Sequence, residues 1–160
     1  MITVDTCGLC AHQAIASCGS EQPRSSATFF NARTDVYLRR LASKDAAVEE
    51  VIGRGARYRT AGCDGLFAPG LSDGGAMARI AAAIKPLPLN IMASPDMPSI
   101  VALQQYGVRR VSAGSTIAQA ALGCTSRLAA GFLAGATSEM FGAIMEYGAM
   151  NELFAKSARD

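Results

Sequence analysis

Long apolar runs are missing from this chain, and so is any cluster of one charge. No stretch of about 18 consecutive apolar residues occurs, so no membrane-spanning helix is expected. Fifteen Lys and Arg stand against 13 Asp and Glu, a net charge of only +2. They are spread along the chain, which leaves no basic footprint for nucleic acid. The first residues lack a basic segment followed by an apolar one, so no secretory signal is expected and the location expected is cytoplasmic. An even cysteine set is also lacking. The five cysteines fall at 7, 10, 18, 63 and 124, and an odd count without a signal argues against a disulfide framework. Half of the 160 residues are hydrophobic and 18% are charged. That suits one domain with a buried core.

The chain changes character near residue 28. Residues 1–27 hold three of the five cysteines and the only histidine, and they show neither helical nor strand periodicity. They form an irregular leader; residues 28–160 form the domain. From Thr28 short apolar runs alternate with helical patterns. Strands are expected at Thr28–Ala32, Gly65–Ala68, Leu89–Ala93 and Arg110–Ala113. Helices are expected at Lys44–Thr60, capped by Ser43 and stopped at Gly62, and from Ser72 or Asp73 to Ile84, with Met77, Ile80 and Ile84 on one face. A short helix fits Ser99–Tyr106, a long one runs from Ser115 to Leu133, and a last one covers 138–155.

Four β-then-α units imply an α/β fold of parallel strands with crossover helices. The strands are short apolar runs, as expected where both faces are buried. A doubly wound sheet wants a glycine-rich turn after its first strand, and Asn31-Ala32-Arg33-Thr34-Asp35 has none. A (β/α)8 TIM-type barrel places functional residues at strand C-terminal ends, which is where Arg33, Asp35 and Asn90 fall. A whole barrel takes about 250 residues, so the fold expected is the C-terminal half of one, four βα units plus an extra C-terminal helix. Two open sheet edges follow from that expectation.

Phe29-Phe30-Asn31-Ala32-Arg33-Thr34-Asp35 resembles the fifth-strand motif of the phosphoenolpyruvate mutase/isocitrate lyase superfamily. Gly62-Cys63-Asp64-Gly65-Leu66-Phe67-Ala68-Pro69-Gly70-Leu71, Pro88-Leu89-Asn90-Ile91-Met92-Ala93 and Gly107-Val108-Arg109-Arg110-Val111-Ser112-Ala113-Gly114-Ser115 resemble it in order and spacing. Tyr147-Gly148-Ala149-Met150-Asn151-Glu152-Leu153-Phe154 is similar to the family's closing helix. The resemblance implies a Mg2+-dependent carbon–carbon or carbon–phosphorus lyase or mutase of carboxylic acid metabolism. Its substrates would be small 2-oxo acids, 2-methylisocitrate or phosphonate-type compounds, gripped by an arginine in the place of Arg33. The family's aspartate-rich metal motif and gating loop have no counterpart here. The Mg2+ ligands are therefore expected to be absent, no catalytic residue is named, and little or no turnover is expected from this chain alone. Ala68-Pro69 stands where lyase members carry a glutamate.

Each candidate has a structural reading beside its functional one. Arg33 can hold a carboxylate or phosphonate bidentately, or it can pair with Asp35 at a barrel rim. Asn90 can bond a substrate carboxylate or a backbone carbonyl. Ser112, Gly114 and Ser115 can cradle a phosphate, or Ser115 can cap a helix. Cys7, Cys10, His12 and Cys18 offer a tetrahedral zinc set or a chance cluster. A half barrel should also associate, as a homo-oligomer or with a partner half-barrel. Phe141, Ile144, Met145 and Leu153 make 138–155 the expected interface. A catalytically inactive assembly module and a small zinc-binding protein are the alternatives to the lyase or mutase.

Overall fold

The computed structural model describes residues 3–5 and 29–157. The chain divides into two compact units, 1–117 and 118–160.

The first unit runs β1 (Thr3–Asp5), β2 (Asn31–Arg33), α1 (Lys44–Thr60), β3 (Gly65–Ala68), α2 (Gly74–Ala83), β4 (Leu89–Met92), α3 (Ile100–Gln105) and β5 (Val108–Ser112). The strands form one sheet in the order β1-β5-β4-β3-β2. Every neighbouring pair is parallel. From β2 to β5 the spatial order follows the chain, as in a sector of a barrel. Two expectations change. The leader is not irregular throughout, because Thr3–Asp5 is a strand; three residues are too few for alternation to register. That strand also pairs with the β5 edge, which was expected to stand open.

Helix bounds follow local chemistry. In α1, Val48 and Val51 are buried on one face. Ser43 sits at its N-cap position without a side-chain bond, contrary to expectation. The next residue, Lys44, has φ +48°, so the entry is not that of a regular first turn. Gly62, at φ +87°, accepts the left-handed turn after α1. Asp73 caps α2: its carboxylate accepts the Ala76 N–H at 2.7 Å. Ser99 caps α3 in the same way at 3.3 Å. Met77, Ile80 and Ile84 are buried as their spacing predicted.

The core lies between the sheet and the three helices. Leu66, Ala68, Leu89, Ile91, Val108 and Val111 share one buried cluster with Val48, Val51, Met77, Ile80 and Leu103. Gly55 allows close approach of α1: a Cβ there would stand 2.8 Å from Ile84 Cγ2 and 3.3 Å from Leu66 Cδ2. The opposite side of the strands differs from expectation. It is not a second apolar layer. Alternate residues there are Asn31 and Arg33, Gly65 and Phe67, Asn90 and Met92, then Arg110 and Ser112, as the strand register requires. In a barrel sector the side away from the helices is the inward, concave face.

The second unit contains most of α4 (Thr116–Leu133), a 3-10 turn over Ser138–Phe141 and α5 (Tyr147–Ser157). None of α4 is buried. The expected single helix over 138–155 is instead two pieces. Gly142 closes the 3-10 turn, and glycine is about 1 kcal/mol poorer than alanine in a helix. Phe141, Ile144 and Met145 are exposed, so no burial offsets that weakness. Phe141, Ile144, Met145 and Leu153 therefore do not share one helix face.

Candidate functional site

Arg33 ends β2 on the concave face. Its Nε donates to Asp35 Oδ1 at 2.6 Å, with both side chains about 30% exposed, 28% and 31%. Its guanidinium carbon stands 5.8 Å from the centre of the Phe67 ring. Register explains the stack, since Arg33 and Phe67 lie opposite each other on neighbouring strands. The ion pair of the structural reading is thus present. It does not exhaust the arginine. Asp35 takes Nε alone, and among the described residues the two terminal amino groups have no protein partner. A guanidinium anchored through Nε and lying over a ring keeps its terminal N–H groups for another partner.

Asn90 follows in the same row, opposite Phe67 on one side and Arg110 on the other. It is almost wholly buried, at 1% exposure. Its Nδ2 donates to Ser112 Oγ at 2.9 Å, and the Ser112 hydroxyl donates back to Oδ1 at 3.2 Å. The partner is therefore a side chain, not the backbone carbonyl of the structural reading. The amide keeps one N–H and further acceptor capacity beyond this pair. Arg33 and Asn90 are separated by β3, about 10 Å at the usual strand spacing. They share a face but not a contact, and the Phe67 ring stands between them.

Sequence reasoning left Arg110 out. Its guanidinium carbon lies 4.8 Å from the Phe29 ring centre. The signal was available: Arg110 precedes Ser112 by two positions, so the two share a strand face. Ser112 itself serves Asn90. Asn31 Oδ1 is buried on this side with no hydrogen-bond partner among the described residues. The zinc candidates Cys7, Cys10, His12 and Cys18 lie outside the described residues.

A hard cation such as Mg2+ needs several oxygen ligands, carboxylates among them. The strands β2 to β5 carry no acidic residue, Asp5 of β1 stands in register with Ser112, and Asp35 is engaged by Arg33. Among the described residues no three His, Cys, Asp or Glu side chains converge. Two guanidinium groups occupy this face instead. The described residues by themselves do not supply the several oxygen ligands that Mg2+ needs.

A separate cavity of about 320 Å³ is lined by Tyr37, Lys44, Asp45, Val48, Asp73, Gly75, Ala76 and Arg79. Burial raises the Tyr37 phenol above its ordinary value, and the Asp73 carboxylate pushes the same way. Arg79 there is paired with Asp45 and Glu49. None of the site candidates named from the sequence lines it.

The family model for phosphoenolpyruvate phosphomutase matches residues 10–133. The match begins inside the leader and ends before the tail 147–154. An uncharacterised protein of Mycobacterium tuberculosis is 38% identical over 92 residues, 58% of this chain and 34% of its own length. A Burkholderia cenocepacia structure provisionally described as a lyase/mutase is 31% identical with TM-score 0.66, covering 78% of this chain and 44% of that one. A phosphonopyruvate hydrolase solved with oxalate and Mg2+ matches in fold, at 19% identity and TM-score 0.59 over 82% of this chain and 46% of its own. The chain thus spans about a third of the curated relative and less than half of each solved structure. No helix among the described residues is long and apolar enough to cross a membrane.

Proposed function

We propose, from the premise that this chain belongs to the phosphoenolpyruvate phosphomutase family, that its concave face binds the anionic end of a small 2-oxo-acid, carboxylate or phosphonate-type substrate. One observation carries the reading: Arg33 is held by Asp35 through Nε and lies over the Phe67 ring, so its terminal N–H groups are left for an anion. Asn90, fixed by Ser112, lines the same face and offers its second N–H. This pre-orientation lowers the ordering cost of binding.

The wider reaction, proposed from the family, is carbon–carbon or carbon–phosphorus lyase or mutase chemistry beside a carbonyl. Such chemistry develops enolate charge that needs a positioned cation. The described residues contribute arginines and the Asp5 position to that face, and no cluster of three ligands for Mg2+. We therefore propose binding as the part of the function these residues perform, with little turnover by this chain alone. An assembly role remains the second reading, supported by the exposed Phe141, Ile144, Met145 and Leu153. Self-association or pairing with a partner half-barrel would cover them.

Titration calorimetry of the whole chain with oxalate, a planar enolate mimic, tests the binding proposal. Saturable binding to one site supports it; no heat at millimolar oxalate contradicts it. Release of pyruvate from oxaloacetate above the spontaneous rate, with Mg2+ present, would overturn the expectation of little turnover.

A further inference from the structure

Three hydroxyls among the described residues stand three positions after an arginine: Ser43 after Arg40, Thr60 after Arg57 and Ser112 after Arg109. The structure separates them. Ser112 lies in β5, is 8% exposed, and is bonded to Asn90 in both directions. Thr60 ends α1, and its hydroxyl donates to the Ala56 carbonyl at 3.2 Å. Ser43 lies outside helix and strand with an extended backbone, φ −122° and ψ 151°. It is exposed, and its hydroxyl makes no cap bond. It also has a second arginine, Arg39, four positions ahead.

The approach to Ser43 is open as well. Residues 36–40 form a turn between β2 and α1, anchored by the buried Val36. Leu38, Arg39, Arg40 and Leu41 are all exposed. Neither arginine side chain has a hydrogen bond or ion pair among the described residues. An enzyme that modifies a protein hydroxyl reads an extended segment, and a groove lined with carboxylates pairs with arginines ahead of that hydroxyl. The same residues suit the product. Ser43 is the N-cap residue of α1 and leaves the first N–H groups of the helix without a side-chain acceptor. A phosphate there meets the positive end of the helix dipole, with Lys44 the next residue in sequence. Asp45, the nearest carboxylate in sequence, is already held by Arg79.

We propose that Ser43 is a phosphorylation site for an arginine-directed protein kinase. The kinase transfers the γ-phosphoryl group of ATP: the bond to the β-phosphate oxygen breaks, the bond from Ser43 Oγ to phosphorus forms, ADP leaves, and the hydroxyl proton passes to the kinase's carboxylate base. Incubating the whole chain with a purified arginine-directed Ser/Thr kinase, ATP and Mg2+ tests this. The intact mass should rise by one phosphoryl group, and peptide fragmentation should map it to Ser43. Ser43→Ala and Ser43→Asn should stay unmodified; asparagine is a good N-cap, which covers the case where alanine weakens α1. Arg40→Ala should lower the kinase's kcat/KM about tenfold or more, since a charge-assisted contact is lost. A kinase that reads acidic residues should leave the wild type unmodified. Phosphate at the N-cap should raise Tm by about 1–4 °C at low salt, and salt at about 1 M should remove most of that rise. No modification, modification at Thr60 or Ser112 instead, or equal rates for the wild type and folded Arg40→Ala overturns the proposal. A phosphorylated chain that melts no higher than the unmodified one overturns the helix-capping part of it.

Discussion

The two sides of the sheet are drawn from the same four strands, yet they follow different chemistry. On the helix side Leu66, Leu89 and Ile91 are sealed against α1, α2 and α3. On the concave side their immediate neighbours Phe67, Asn90 and Met92 stand beside arginines and a serine. A helix-side position is judged by apolar area removed from water. A concave-side position is judged by the partners that its polar groups find. Mutations on the two sides should therefore move different observables.

The largest effect belongs to the helix side. Leu66→Ala should cost about 2–5 kcal/mol of folding stability, since Leu66 is fully buried and its neighbours cannot all close the gap. Chemical denaturation measures it. Oxalate affinity, taken where the variant is still folded, should hold within about twofold. A loss of affinity as large as the loss of stability would erase the distinction between the faces.

Ser112→Ala sharpens the comparison, because the residue is buried yet concave. It removes both hydrogen bonds of the Asn90 amide. A buried amide left short of partners costs about 1–3 kcal/mol, and the loosened Asn90 should also weaken oxalate binding. Denaturation and calorimetry on one variant should both move. Asp73→Ala is a control at the end of α2. Loss of its cap bond to Ala76 should cost about 1 kcal/mol, with oxalate affinity unchanged. The smallest stability effect is expected at Phe141, which is 70% exposed. Phe141→Ser should stay within about 0.5 kcal/mol for the monomer. If the tail mediates association, size-exclusion chromatography at high concentration should show Phe141→Ser and Leu153→Ser shifted toward the monomer. An unchanged elution profile counts against that role.

Much of the first unit was legible in the sequence. Lys44–Thr60 and Gly65–Ala68 fall within the expected bounds, because strong periodicity and terminal glycines mark them. The side of the sheet on which Arg33 and Asn90 act was harder to read. Leu89-Asn90-Ile91-Met92 looks like an apolar run with one polar interruption, and it is instead two alternating pairs. Small polar residues and a methionine blur the period of two that separates a buried face from a cavity face. Arg110 was missed for a related reason. Arg109-Arg110 reads as a solvated pair, and only the register with Asn90 shows that Arg110 lies on the concave side. The break at Gly142 was illegible because helical spacing says nothing about whether a tail has something to pack against. Strand β1 was too short to show a pattern.

The central claim is that Arg33 holds an anion and does not merely tie the end of β2 to Asp35. Calorimetric titration of wild-type and Arg33→Ala chains with oxalate, beside their melting curves, tests it most directly. Hydrogen bonds to charged groups are worth about 1.5–3 kcal/mol. Arg33→Ala should thus weaken oxalate about ten- to hundredfold, with Arg33→Lys between, while the partly exposed ion pair takes less than about 1 kcal/mol of stability with it. Unchanged oxalate affinity together with a lowered melting temperature would contradict the account and leave Arg33 as a rim ion pair.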